Sequence, residues 1–191
     1  MTKLIIGCGY LGLRVARRWR AAGHDVLCLV RTAEHAGQLA REGLHSLVAD
    51  VTRPETLVGL PAAASVLWAV GFDAAGGRSR REVYVQGLQN VLAALPADTG
   101  RFLFVSSTSV YGNTRGGWVD ENSPCQPGRE AGRVLLVAED ALRHHALGPQ
   151  SIILRLAGLY GPGRLPRLTD SGGSAGAQHP RGGPGGMVGS P

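Results

Sequence analysis

The chain has 191 residues, 43% of them hydrophobic, which is enough for about one globular domain with a buried core. Its formal charge of +6 comes from scattered arginines, with Lys3 as the only lysine, and this scatter argues against a nucleic-acid-binding patch. The densest basic group, RVARRWR at 14–20, could contact phosphates, but we interpret it as the solvated face of an amphipathic helix.

Cysteine usage and the N-terminal segment indicate the compartment. Cys8, Cys28 and Cys125 are far apart and lack CxxC or histidine spacing, which argues against a disulfide framework or a metal site. The N-terminal apolar run LII meets glycines at once, so it predicts neither a signal peptide nor a membrane span. We therefore expect a cytoplasmic protein without a membrane partner.

Apolar runs alternate with amphipathic stretches along the first 156 residues. The runs predict six strands, at 3–8, 25–30, 45–50, 65–70, 101–107 and 151–156. Helical spacing predicts helices at 11–22, 34–41, 82–95 and 130–145, with a short helical connection between Pro54 and Pro61. Solid apolar strands that alternate with helices predict an α/β protein with a doubly wound parallel sheet, the Rossmann fold.

The hexapeptide GCGYLG at 7–12 lies between the first strand and the first helix, the setting in which G-x-G-x-x-G binds a dinucleotide. Gly7 permits the tight turn, Gly9 lets backbone approach a pyrophosphate, and Gly12 lets helix and strand pack closely. The helix N-terminus then directs its N–H groups and partial positive charge at the phosphates. A purely structural glycine turn is the alternative.

The residue that follows the second strand indicates which dinucleotide is bound. An acidic residue there would bind the ribose 2′-hydroxyl, but Arg31 and then Thr32 occupy the position, and Arg attracts a 2′-phosphate. We therefore predict NADP rather than NAD. Asp50 closes the third strand and either accepts from the adenine amino group or caps the next segment. The predicted cofactor set also includes Tyr10, Leu11, Val51, Ala69 and Val70.

Two further motifs, VSSTSVYG at 105–112 and RLAGLYGPG at 155–163, complete a pattern with GCGYLG and Asp50-Val51. In this order the four resemble the short-chain dehydrogenase/reductase superfamily, in its NAD(P)-dependent epimerase/dehydratase branch with atypical members. The resemblance covers residues 2–168. It implies a reductase, dehydratase or epimerase activity on a nucleotide-sugar or similar carbonyl or alcohol substrate.

The same resemblance assigns roles in the reaction. Ser107 matches the family serine that hydrogen-bonds the reacting oxygen, although it could also serve only to satisfy backbone at a strand end. The family's Tyr-x-x-x-Lys pair falls on Ala131 and Leu135, neither of which can exchange a proton. Arg133 is nearby and could bind ribose or phosphate. We thus predict weak activity, and the alternative is a non-catalytic NAD(P)-binding sensor or interaction module.

Composition changes abruptly near Leu168. We assign 1–168 to the dinucleotide-binding domain and 169–191, which is rich in Gly, Ser and Pro, to a disordered tail. By resemblance, the substrate lobe that should follow is largely missing, so we expect a truncated or frame-shifted member, with a flexible linker or a non-functional fragment as alternatives. Apolar surface left uncovered would favour association, which makes a homo-oligomer one expectation.

Overall fold

Six parallel strands form one sheet in the computed structural model, which describes residues 2–112 and 116–164. They are β1 (Lys3–Ile6), β2 (Val26–Val30), β3 (His45–Val48), β4 (Ser65–Trp68), β5 (Arg101–Ser107) and β6 (Ser151–Leu156). The strand order is β3-β2-β1-β4-β5-β6, so the chain reverses its direction of winding between β3 and β4. This is the predicted doubly wound sheet, and its crevice opens above the carboxyl ends of β1 and β4.

Within the described ranges, four α-helices cover the two faces of the sheet: α1 (Tyr10–Ala21), α2 (Ala33–Arg41), α3 (Gly87–Ala94) and α4 (Glu130–Arg143). On one face, Trp68 stacks with Phe104 at a centroid distance of 6.2 Å in the core that includes side chains of α3 and α4. On the other face, Ile5 and Cys28 pack with Ala16 of α1 and Leu39 of α2. Each strand of the sheet centre therefore buries apolar side chains in both directions, as its unbroken apolar run predicted.

The differences from the predicted elements lie mostly at their ends. The apolar runs at 3–8, 45–50 and 65–70 continue two residues beyond β1, β3 and β4, because their last residues have already left the sheet for the crevice loops. β3 is an edge strand, and Val48 is exposed. The predicted helix 82–95 begins with a π-helical turn, Glu82–Gln86, before α3.

The connection after Pro54 is a 3₁₀ turn, Pro54–Thr56, and a second 3₁₀ turn, Thr108–Tyr111, follows β5. Helices in the described ranges are all too short or too polar to cross a membrane. The predicted tail, 169–191, and the last four residues of the predicted domain lie outside the described residues.

Candidate functional site

The carboxyl ends of the parallel strands place most of the predicted site residues along one edge of the sheet. The glycine turn follows β1, Arg31 and Thr32 follow β2, and Asp50 follows β3. On the other side of the turn, Ala69 and Val70 follow β4, and Ser107 is the last residue of β5. The edge thus brings together residues that lie up to 100 positions apart in the sequence.

The glycine turn is held against the strands on both sides of β1. The Gly7 N–H donates to the Leu29 carbonyl of β2 at 3.1 Å, and a Cβ at Gly7 would lie only 2.7 Å from the Val70 nitrogen beyond β4. A Cβ at Gly12 would lie 2.3 Å from the Gly7 carbonyl oxygen, well inside contact distance. Only glycine fits at these two positions, because the close approach is to backbone rather than to movable side chains.

Gly9 differs from Gly7 and Gly12 because its Cα faces open space. Within the described residues, no heavy atom lies within 4 Å of a Cβ built at Gly9. Gly9 is the N-cap of α1, and the first helical turn carries no acidic side chain. The first N–H groups of α1, from Tyr10 onward, lack intrahelical acceptors and lie beside this space. A phosphate would meet helix N–H donors here without a clash against Gly9.

Arg31 is engaged by a residue from the loop after β4. Its Nη2 donates to Asp73 Oδ2 at 2.9 Å, and the two side chains are 53% and 48% exposed. Because β2 and β4 flank β1, this ion pair joins the loops on both sides of the glycine turn. Hydrogen bonds from Arg31 and from the Ala75 N–H lower the pKa of Asp73, so its carboxylate is charged near neutral pH.

Thr32 and Asp50 both have local structural roles. Thr32 is the N-cap of α2 and accepts from the His35 N–H at 3.3 Å. Asp50 Oδ1 accepts from the Thr52 N–H at 2.9 Å and from the Thr52 hydroxyl at 2.8 Å. Asp50 thus stabilises the turn at Thr52 and is not the N-cap of the next 3₁₀ segment, Pro54–Thr56, which is Arg53. Adenine binding by Asp50 stays a prediction.

Tyr10 is covered by the turn that follows β6. Its ring carries the Arg14 guanidinium at 3.6 Å from the centroid and that of Arg164 at 5.2 Å. Arg14 Nη2 also donates to the Pro162 carbonyl at 3.2 Å, and Gly161 lies close to the Tyr10 hydroxyl. The YGPG segment therefore contacts the beginning of α1. Two cations, Arg14 and Arg164, lie against Tyr10 beside the glycine turn.

Ser107 caps the 3₁₀ turn that follows β5, where its Oγ accepts from the Ser109 N–H at 3.1 Å. This contact fulfils the backbone role considered above, and it leaves the Ser107 hydroxyl hydrogen available for another acceptor. The amino-terminal part of α4 packs beside this turn. There Ala131 is half-buried and Leu135 is buried, whereas Arg133 is exposed and donates to the Gly128 carbonyl at 3.3 Å.

Comparison of the sequence with profiles of known protein families identifies the family of this chain. The profile of the NAD dependent epimerase/dehydratase family matches residues 4–174. The chain belongs to this family. The epimerase/dehydratase resemblance drawn from the four motifs is thus confirmed, as is the Rossmann architecture that it implied.

Relatives agree with this assignment. The chain is 35% identical over 171 residues to Protein YeeZ of Escherichia coli K12, covering 85% of this chain and 60% of that protein. A candidate NAD-dependent epimerase/dehydratase from Methylobacillus flagellatus is 40% identical, with a TM-score of 0.70 over 85% of this chain and 56% of its own. The chain thus spans little more than half the length of these relatives.

A more distant structure shares the fold. A short-chain dehydrogenase/reductase superfamily protein from Agrobacterium tumefaciens, solved with bound NAD, is 24% identical and has a TM-score of 0.67. The aligned region covers 81% of this chain and 48% of the Agrobacterium protein. Its similarity shows that the six-stranded sheet described above has the same fold as the matched half of that protein.

The described residues of this epimerase/dehydratase family member suit a dinucleotide in shape and charge. The space at Gly9 lies beside unpaired helix N–H groups, Arg14 and Arg164 flank Tyr10, and Arg31 adds a further cation after the neighbouring strand β2. Val51 contributes its side chain to the core rather than to the crevice, and its carbonyl accepts from Asn90 Nδ2 at 2.9 Å. Arg133 faces solvent, and its ribose-binding role stays a prediction.

Sequence reasoning missed two sets of residues. No sequence pattern pointed to Asp73, because its partner Arg31 lies 42 positions away and only the strand order brings the two residues together. Arg155 is the first residue of the RLAGLYGPG motif, but its ion pair with Glu139, between α4 and β6, was not predicted. Arg155 also donates from Nη1 to the Tyr111 hydroxyl at 3.0 Å, which holds this tyrosine of the VSSTSVYG motif against β6.

Proposed function

We propose that this chain binds NADP across the carboxyl edge of the sheet and acts as an NAD(P)-dependent oxidoreductase, epimerase or dehydratase. Its proposed substrate is a nucleotide-sugar or a similar carbonyl or alcohol compound. The observation that carries the proposal is the glycine turn, in which Gly7 and Gly12 close on backbone while Gly9 opens onto a helix N-terminus. The bound NAD of the Agrobacterium protein supports a nicotinamide dinucleotide at the corresponding edge.

The proposed contacts divide the edge into three regions. The backbone of Gly7, Gly9, Tyr10, Leu11 and Gly12 would hold the pyrophosphate. The side chains of Arg31, Thr32 and Asp50 and the backbone of Val51 would surround the adenosine half, and Ala69, Val70 and Arg133 would line the path to the nicotinamide ribose. Cysteine spacing supports a reducing, cytoplasmic compartment for such a protein.

At the reacting end, the nicotinamide would supply hydride exchange with a substrate carbon. Ser107 would donate its hydroxyl hydrogen to the substrate oxygen, since its Oγ lone pair already accepts from the Ser109 N–H. The methyl group of Ala131 and the isobutyl group of Leu135 cannot transfer a proton. Turnover would therefore be slow in comparison with that of an enzyme containing a tyrosine and a lysine at these two positions.

A second candidate function is a non-catalytic dinucleotide sensor or interaction module. The observation that favours it is the apolar character of both α4 positions, because Leu135 is buried and contributes to the core rather than to a reaction. The two candidates differ in turnover but share the cofactor site. Assays with NADPH and a panel of carbonyl substrates, or with NADP and the corresponding alcohols, would separate them.

Titration with NADPH and NADH, followed by tryptophan fluorescence and thermal shift, tests the shared cofactor site. Trp68, fully buried at the end of β4, is a built-in probe near the crevice. We expect saturable binding and a raised Tm. Replacement of Gly9 by Ala should weaken binding by about tenfold or more, since a methyl group would obstruct the pyrophosphate approach.

Gly37→Ala provides the matched control for this titration. Gly37 lies on the exposed side of α2, and a Cβ there also meets no atom within 4 Å among the described residues. Its substitution should leave affinity unchanged. Equal affinity in the Gly9→Ala and Gly37→Ala variants would contradict the proposed site, and a lack of saturable binding by the native chain would contradict the function.

A further inference from the structure

The ion pair between Arg31 and Asp73 lies where the dinucleotide choice is made. Arg31 follows β2, at the position that meets the 2′ substituent of the adenosine ribose in dinucleotide-binding sheets. Asp73 reaches the same place from the loop after β4, and its Oδ2 lies 2.9 Å from Arg31 Nη2. A 2′-phosphate would therefore meet a guanidinium that already has an anionic partner.

Asp73 is fixed by its own loop rather than by Arg31. Its Oδ1 accepts from the Ala75 N–H at 3.0 Å, and Asp73 is the N-cap of the 3₁₀ turn Ala74–Gly76. One carboxylate oxygen thus belongs to the turn, and only the other contacts Arg31. The carboxylate would stay in place, still charged, when a phosphate competes for the guanidinium.

Resting on the proposed dinucleotide function, we propose that Asp73 is a specificity-determining residue that limits the preference for NADPH over NADH. Its carboxylate occupies one edge of the Arg31 guanidinium and repels the 2′-phosphate of NADPH. NADH has a 2′-hydroxyl instead, which gains less from Arg31 and is not repelled by Asp73. The native chain consequently discriminates less between the two dinucleotides than Arg31 alone would allow.

The size of this effect follows from exposure and charge. Both side chains are about half exposed, so the pair is weak enough for a phosphate to replace or share it. A dianionic phosphate and a carboxylate on the same guanidinium would be about 6 Å apart, and in screened water this repulsion corresponds to about three- to tenfold in affinity. Loss of the charge at Asp73 should increase the NADPH/NADH affinity ratio by about this factor.

The experiment compares NADPH and NADH affinities of the native chain, Asp73→Asn, Arg31→Leu and the double variant, all at one salt concentration. Asp73→Asn should tighten NADPH about three- to tenfold and change NADH less than about twofold. Arg31→Leu should weaken NADPH towards the NADH value. In the Arg31→Leu background, the effect of Asp73→Asn should shrink, because a 2′-phosphate that Arg31 no longer holds is less closely confined beside the Asp73 carboxylate.

Asp98→Asn is the matched control, since it also removes one negative charge from an exposed loop. Asp98 precedes β5 and so lies at the amino ends of the strands, away from the crevice. It should leave the affinity ratio unchanged. An unchanged or lowered ratio in Asp73→Asn would overturn the inference, because it would make Asp73 inert or a positioning residue for Arg31.

Adenosine 2′,5′-bisphosphate and 5′-AMP distinguish failure of the inference from failure of the proposed function. These fragments contain the 2′ position but not the nicotinamide half, and Asp73→Asn should tighten only the 2′-phosphorylated one. Dinucleotide binding with an unchanged ratio would sink the inference alone. If neither the dinucleotides nor the fragments bound to any variant, both proposals would be wrong.

Discussion

Glu139 of α4 and Arg155 of β6 form a two-pronged ion pair in which the carboxylate has no solvent exposure. Arg155 Nε donates to Oε1 at 3.1 Å and Nη2 to Oε2 at 2.7 Å. The Ser106 hydroxyl and Arg143 complete the coordination of the carboxylate, at 2.7 and 2.9 Å. This cluster joins α4 to the last two strands, and its member Ser106 immediately precedes Ser107 in β5.

Replacement of Glu139 by Gln should destabilise the fold by about 2–4 kcal/mol, because the mostly buried Arg155 would lose its counter-charge. Urea denaturation measures this loss. Arg143→Gln is the control, since Arg143 contacts the same carboxylate but is 48% exposed, and it should cost less than about 1 kcal/mol. Equal losses of unfolding free energy in the two variants would show that the buried pair with Arg155 stabilises the fold no more than the exposed contact with Arg143.

The same carboxylate predicts a loss of stability in acid. Burial disfavours its charged form, but hydrogen bonds from Arg155 and Ser106 outweigh burial and hold the pKa of Glu139 below its usual 4.5. Because the folded-state pKa is the lower one, Glu139 contributes stability above about pH 4.5 and loses it as pH falls through the folded value. Between about pH 6 and pH 3, the urea midpoint should therefore fall more steeply in the native chain than in Glu139→Gln; parallel curves would contradict this.

Gly12→Ala should destabilise the protein by several kcal/mol or prevent folding. The added methyl group would lie 2.3 Å from the Gly7 carbonyl oxygen, and neither backbone segment can retreat without opening the turn. Circular dichroism and urea melts of purified protein check this expectation. Gly37→Ala, on an exposed position of α2, should instead retain or slightly increase stability, since alanine favours helix. A stable Gly12→Ala variant would mean that α1 is not packed as closely as described.

Ser107→Ala should abolish whatever turnover the substrate panel reveals while leaving dinucleotide binding within about twofold. It also removes the acceptor for the Ser109 N–H, so we expect about 1 kcal/mol of lost stability. Ser109→Ala is the matched control, because it removes a neighbouring hydroxyl while Ser107 and the Ser109 N–H contact are retained, so turnover and stability should both be unchanged. Turnover that survives in Ser107→Ala would remove this serine from the mechanism.

Thiol labelling should find the three cysteines unequal. Cys8 and Cys28 are buried with their sulfurs 3.4 Å apart beneath the glycine turn, whereas Cys125 is only partly buried. In the native state the Cys125 thiol should react quickly with an aromatic disulfide reagent, and Cys125→Ser should remove this fast phase of the labelling reaction. All three should react at once in urea. Rapid labelling of Cys8 in native buffer would show that the turn opens frequently.

Much of the fold could be predicted because its signals are local. An unbroken apolar run is buried on both sides of a parallel sheet, and this feature located all six strands. The glycine spacing identified the turn after β1, and the alternation of elements placed most of the candidate residues along one edge. The predicted ends of the strands were less accurate, because residues such as Cys8 and Val70 are apolar although the chain has already left the sheet.

The sequence by itself determined which glycines the turn after β1 contains, and that neither Ala131 nor Leu135 can exchange a proton. Ala131 and Leu135 cannot act as acid and lysine in any conformation, since their side chains have no titratable group. Only the tertiary structure decided which charges meet. Arg31 pairs with Asp73, and Glu139 with Arg155, because strand order and helix packing bring distant segments within 3 Å. Such contacts depend on topology and register, which no local pattern encodes.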